Sequence, residues 1–137
     1  MTPLKRAIDA KLILFDLDGT LVNTLLEIAD AINDTLPAIY SVNRIENSLV
    51  ESWIGNGAAT LFKRALTHCG IEKVNLQSEF DTNWPLFQNA YAQRCGTNSP
   101  PYPGVMDCLS ALEKSGYRMA VLTNKEGAFA HKVIDNN

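Results

Sequence analysis

Two aspartates one residue apart, Asp16 and Asp18, stand directly after the apolar run at residues 12–15 and directly before Gly19 and Thr20, in the stretch ILFDLDGT. Carboxylates this close repel each other, and the arrangement holds together best when a cation or a proton sits between them. Oxygen-only ligands on a small loop favour magnesium, which completes its octahedron with water and substrate phosphate. If the substrate is a phosphate ester, the roles divide: one carboxylate attacks phosphorus, and the other gives a proton to the leaving oxygen and later takes one from water. A carboxyl group that carries a proton at neutral pH needs a pKa above the ordinary value of about 3.9, which a neighbouring carboxylate and partial burial supply. Gly19 lets the backbone approach phosphoryl oxygens, and Thr20 offers a hydroxyl. The same residue types are common in turns, so spacing alone leaves a purely structural loop equally open.

Positioning such a pair requires a strand end. Residues 12–15 form a continuous apolar run, the pattern of a parallel strand covered on both faces, and ligands of open α/β sheets bind beyond the carboxyl ends of strands. Thr24 with Glu27 makes a capping-box pattern. Leu25, Ile28, Ala29, Ile32 and Leu36 then recur at helical spacing until Pro37. The helical pattern continues to about Asn98, with Leu61, Phe62, Ala65, Leu66 and Cys69 on one stripe and Leu86, Ala90 and Tyr91 near another. Pro85 starts or kinks the last of these helices. Between the stripes lies WIGNG, residues 53–57, whose glycines mark a tight turn before a helix.

The segment TNSPPYPG, residues 97–104, reads as a stiff connection. Val105, Leu109 and Leu112 follow on a helix that stops near Gly116, and MAVLT, residues 119–123, reads as a second buried strand. The order predicts an α/β fold: a Rossmann-like parallel-sheet core at residues 1–22 and 100–137, incomplete with two strands, and an inserted α-helical cap at 23–99.

At 137 residues, 46% hydrophobic and 20% charged, the composition is that of a globular domain and excludes a disordered or collagen-like chain. The net charge of −3 and the scattered basic residues argue against a nucleic-acid partner. Cys69, Cys95 and Cys108 are too far apart for a zinc or redox pair and read as buried thiols of a reducing cytosol. The first apolar run is cut off by Asp16 before it reaches signal-peptide or membrane-spanning length, so the expectation is a soluble cytoplasmic protein with no membrane partner.

The string DLDGTLV at residues 16–22 resembles the first motif of the haloacid dehalogenase superfamily of phosphohydrolases, and VLTNK resembles its second. The resemblance implies Asp16 as nucleophile and Asp18 as general acid/base, with both aspartates at a Mg2+ ion and Asp18 lending its backbone carbonyl. It implies Thr123 as the phosphate-binding hydroxyl, with Asn124 and Lys125 beside it and Gly19 and Thr20 on the first loop. The WIGNG segment, TNK and YPGV are similar to bacterial phosphoglycolate phosphatases. There Gly55, Asn56 and Gly57 would offer free amide groups at a helix start to the carboxylate of a small phosphorylated metabolite such as 2-phosphoglycolate; a plain helix-connecting turn accounts for them equally. Arg64, His68 and Arg94 fit surface charges as well as ligands. Related capped members act on sugar phosphates or transfer phosphate within them, which keeps a second substrate class open.

The family usually has aspartate where this chain has Asn23, a change outside the phosphoryl-transfer pair. The resemblance also implies a later lysine and a later acidic pair, and neither can be placed before AHKVIDNN ends the sequence. The expectation is therefore a shortened chain whose first strand keeps an unpaired apolar edge, and the alternative to an active phosphatase is an inactive remnant of one.

Overall fold

The computed structural model describes residues 9–137; the part of the expected core at residues 1–8 lies outside them. Two short strands, β1 (Ile13–Phe15) and β2 (Met119–Val121), pair in parallel with Ile13 opposite Met119 and Phe15 opposite Val121. Between them come α1 (Leu25–Tyr40), α2 (Asn47–Glu51), α3 (Ala58–His68), α4 (Leu76–Arg94) and α5 (Val105–Lys114), and α6 (Gly127–Asp135) follows β2. The class is α/β, with a small parallel sheet and a helical insertion after the first strand.

The inserted helices hold most of the buried apolar volume. Helix α1 packs on α4, α2 and α3. Its face of Ile28, Ala29, Ile32 and Leu36 meets Leu61, Phe62, Ala65 and Leu66 of α3 and Phe87 and Tyr91 of α4. Rings at helical spacing stack down α4, from Phe80 to Trp84 to Phe87 to Tyr91, with Phe62 packed against the first three.

Several expectations need correction. Helix α1 does not stop at Pro37 but carries it to Tyr40 and ends on Ser41 in the left-handed region; proline removes one N–H, and burial of Leu36 one residue earlier outweighs that loss. Pro85 lies inside α4, which starts at Leu76, so it does not start that helix. Of the expected stripe, Tyr91 is buried and Ala90 packs against the core, but Leu86 is exposed and Asn83 and Phe87 are buried in its place. Of the cysteines Cys95 is buried, Cys69 half-buried and Cys108 exposed. The strands are not covered on both faces: Leu14 is 53% and Leu122 66% exposed. Among the described residues no helix covers the sheet face that carries Leu14, which stays open to solvent.

The chain enters and leaves the insertion along one line. The Asn23 amide donates to Pro100 O at 2.8 Å, and the Tyr102 amide donates to Leu21 O at 3.1 Å, joining residues 21–23 to 100–102 as an antiparallel bridge. Where α4 ends, Gly96 has φ +81°, and a Cβ there would lie 2.9 Å from the Lys132 carbonyl of α6. Only glycine meets both the dihedral and the close approach. Among the described residues no helix is long and apolar enough to cross a membrane.

Candidate active site

The loop after β1 derives its shape from Leu17. This side chain is fully buried, and its carbonyl accepts hydrogen bonds from the amides of Thr20, Leu21 and Val22. Side chains in extended backbone alternate, so burying Leu17 turns its neighbours Asp16 and Asp18 to the opposite side. There both line a cavity with Thr123, Asn124 and Lys125 from the loop after β2, 107 residues further on in the case of the Asp18–Lys125 contact. The two loops converge because β1 and β2 are parallel neighbours in register, which places their carboxyl ends side by side.

Asp16 Oδ1 accepts the Leu17 amide at 2.8 Å, which fixes its rotamer. Asp18 Oδ1 accepts two bonds: from Thr24 Oγ1 at 2.7 Å and from Lys125 Nζ at 2.8 Å. Thr24 is 1% exposed, and Lys125 and Asp18 are 6% and 14% exposed, so this is a nearly dry charged cluster. Thr123 Oγ1 accepts the Lys125 amide at 3.1 Å, a local turn that aims the lysine back at Asp18.

The expected capping box is absent, and both of its residues serve the site's surroundings. Thr24 makes no side-chain cap and spends its hydroxyl on Asp18. Glu27 is buried, and its Oε1 accepts the Asn98 amide at 2.8 Å, tying α1 to the return connection. Asn23 Oδ1 takes the Leu25 amide at 3.2 Å.

The cavity has an inner volume of about 40 Å3, and apart from Glu126 its remaining walls are mostly apolar, with Ile28, Ile54, Leu61, Phe87, Tyr91 and Phe129 among them. A second cavity, of about 290 Å3, adjoins the pair and has Gly19, Thr20, Thr24, Glu51 and Tyr102 among its lining. Asp16, Asp18, Ile54 and Gly55 border both. Gly19 and Thr20 thus border the second cavity, and Thr123 and Lys125 the first.

The WIGNG turn closes over the pair from above. Asn124 Nδ2 donates to Gly55 O at 3.0 Å, and Gly57, at φ +84°, would bring a Cβ to 3.4 Å from Asn124 O. Gly55 and Gly57 line the cavity. Asn56 does not: its Oδ1 takes Arg64 Nη2 at 3.2 Å on the exposed side. Arg94 pairs with Asp34 and Asp30 at the surface, and the His68 ring packs on Trp53.

Burial, and then the adjacent Cys95 thiol and the Asp18 and Glu27 charges, push the Tyr91 phenol far above its usual range. Burial likewise raises the Cys95 thiol. As donors for a hard cation, the loop offers the carboxylates of Asp16 and Asp18 and adjoining backbone carbonyls, an oxygen set that suits magnesium sharing its shell with water and phosphate. Among the described residues no group of three or more His, Cys, Asp or Glu side chains comes together.

Residues 10–136 match the model of the haloacid dehalogenase-like hydrolases. The chain belongs to that family. A phosphoglycolate phosphatase of Pseudomonas syringae pv. tomato is 37% identical over 129 residues, which is 91% of this chain and 45% of that protein. One from Haemophilus influenzae is 40% identical over 126 residues, 90% of this chain and 56% of that one. The crystal structure of a predicted phosphoglycolate phosphatase from Haemophilus somnus superposes with a TM-score of 0.75 at 34% identity, covering 94% of this chain and 58% of its own. The chain spans about half the length of the relatives it matches.

Proposed function

We propose that the chain carries the phosphoryl-transfer site of a magnesium-dependent phosphatase of small phosphate monoesters, with 2-phosphoglycolate as the preferred substrate. The observation that carries this reading is the convergence of Asp16, Asp18, Thr123 and Lys125 on one cavity from loops far apart in sequence. Core segments at residues 1–22 and 100–137 flank a helical cap at 23–99, and the protein works in the cytoplasm.

In this reading an Asp16 oxygen attacks phosphorus as the ester P–O bond breaks, and the leaving oxygen takes a proton from Asp18. Asp18 then removes a proton from water, whose oxygen attacks the aspartyl phosphate, releasing phosphate and restoring Asp16. Thr123, the loop amides near Asn124 and the Lys125 ammonium bind phosphoryl oxygens; the Asn124 side chain itself is occupied by Gly55. Gly19 and Thr20 border the approach from the second cavity. Magnesium, held by Asp16 and the Asp18 loop, supplies charge neutralisation for the phosphoryl oxygens. Amides at Gly55, Gly57 and the start of α3 receive the substrate carboxylate, and Asn56 supports the turn through Arg64.

Three features support a small ester: the mostly apolar walls, the modest inner volume, and the phosphoglycolate phosphatase relatives. A hexose phosphate would bury hydroxyls against Ile54, Leu61 and Phe87 without partners, at a cost of roughly 1–3 kcal/mol each. The test is phosphate release from 2-phosphoglycolate against hexose phosphates by the folded chain with magnesium. Faster release from phosphoglycolate, lost in Asp16→Asn, is expected; no release above that variant refutes the reading for this chain.

A second reading, an inactive remnant that keeps the site's shape, is favoured by the uncovered apolar side chains of Leu12, Leu14, Val121 and Leu122 around the strands. It predicts self-association and broad unfolding, so a sharp transition in a monomer counts against it.

A further inference from the structure

Two elements, the β1 loop and α4, meet at the Lys125 side chain. Its Nζ donates to Asp18 on the β1 loop and also lies 4.9 Å from the centre of the Tyr91 ring. Tyr91 comes from α4, the last helix before the return connection, and is 2% exposed. The ring is held on two sides: it is parallel to Phe87 within 4°, with centroids 5.9 Å apart, and it meets Phe129 of α6 edge-on at 4.8 Å.

A lysine this well buried requires compensation for its lost hydration. The Asp18 carboxylate supplies part, and the negative face of an aromatic ring supplies more when water is excluded. An ammonium has three donors. With one on Asp18 and a ring beside it, donor capacity remains at the wall that Lys125 shares with Asp16 and Thr123. A flexible four-carbon stem would otherwise let the charge swing toward solvent.

We propose that Tyr91 is a positioning residue for the phosphoryl site: its ring seats the Lys125 ammonium beside Asp18, where the ammonium meets a phosphoryl group bound in the cavity. The inference rests on the phosphatase reading above. It gives the inserted helices a part in binding the phosphoryl group itself, because a displacement of α4 removes the seat.

The probe is inorganic phosphate, its affinity for the full chain measured by calorimetry with magnesium present. Tyr91→Phe keeps the ring and binds within about 2-fold of the native chain, whereas Tyr91→3,4,5-trifluorophenylalanine keeps the shape, empties the ring face of negative potential, and weakens binding about 3- to 10-fold. Lys125→Met weakens it by about 10-fold or more. Unfolding midpoints taken alongside identify any variant that loses the fold, and Tyr91→4-fluorophenylalanine gives an intermediate point at minimal steric change. Equal affinity across the ring series, with a loss in Lys125→Met, overturns this inference and leaves the site reading intact. If the native chain binds no phosphate, or Lys125→Met binds as the native chain does, the phosphatase reading fails and the inference with it.

Discussion

Replacing Thr24 with valine removes one hydroxyl and preserves shape. In the folded chain that hydroxyl is 1% exposed and donates to Asp18 Oδ1 at 2.7 Å. A hydrogen bond to a charged acceptor contributes about 1.5–3 kcal/mol, and the added apolar methyl recovers a fraction of it, so Thr24→Val should cost about 1–2 kcal/mol. Lys125 still holds the same oxygen, which keeps the loss below that for an abandoned buried charge. Urea unfolding should show a lower midpoint at unchanged slope. Thr24→Ser, which restores the donor, should recover much of the difference. Activity offers a second axis. Asp18 in the wrong orientation cannot protonate a poor leaving group, so turnover of 2-phosphoglycolate should fall about 10-fold or more, while p-nitrophenyl phosphate, whose leaving group needs no proton, should keep only the loss that arises in hydrolysis of the aspartyl phosphate, where Asp18 acts as base. A Thr24→Val chain with native stability and native turnover of both esters would refute the assignment of Thr24 to Asp18.

Further predictions rest on packing and charge. Phe62→Ala, which empties a fully buried ring site bordered by Phe80, Trp84 and Phe87, should destabilise by about 3–5 kcal/mol in denaturant titration. Gly96→Ala should cost about 2 kcal/mol or more, because its positive φ is strained for alanine and the new Cβ meets the Lys132 carbonyl; a neutral effect would show that the α4–α6 junction is wrong. Tyr40 and Tyr91 have phenols raised above the ordinary value, mainly by burial. Both states hold these protons below pH about 10, whereas above it the unfolded chain ionises first, so stability should fall with rising pH and Tyr91→Phe should flatten that slope. With a thiol-alkylating reagent at neutral pH, exposed Cys108 should react first and Cys95, buried and raised, last.

The parts of the fold legible in the sequence were those with local causes. The apolar run ending at Asp16, the glycine-marked turn before α3 and the helix from Val105 all depend on neighbouring residues, and each formed where expected. One position of α4 was not legible: Leu86 and Phe87 are both apolar, and the choice between them is made by the packing of Phe62 from α3. Nor could the sequence tell that Thr24 and Glu27 would be diverted from capping, since their partners, Asp18 and Asn98, are set by how the loop and the return connection fold back. Tyr91 was visible only as part of an apolar stripe. Its relation to Lys125 spans the insertion and the β2 loop, and tyrosine at a helical repeat carries no sign of a cation across its face. That Asp16 and Thr123 line one cavity was readable from the two motifs, each of which follows an apolar run of strand type.

The central claim is that an Asp16 oxygen becomes bonded to phosphorus. Incubating the folded chain with 2-phosphoglycolate and magnesium, quenching in acid, reducing with borohydride and locating the reduced residue by mass spectrometry reads that bond directly. Reduction at position 16, absent in Asp16→Asn, is the predicted result; phosphate released with no modified residue, or with the label on another side chain, contradicts it.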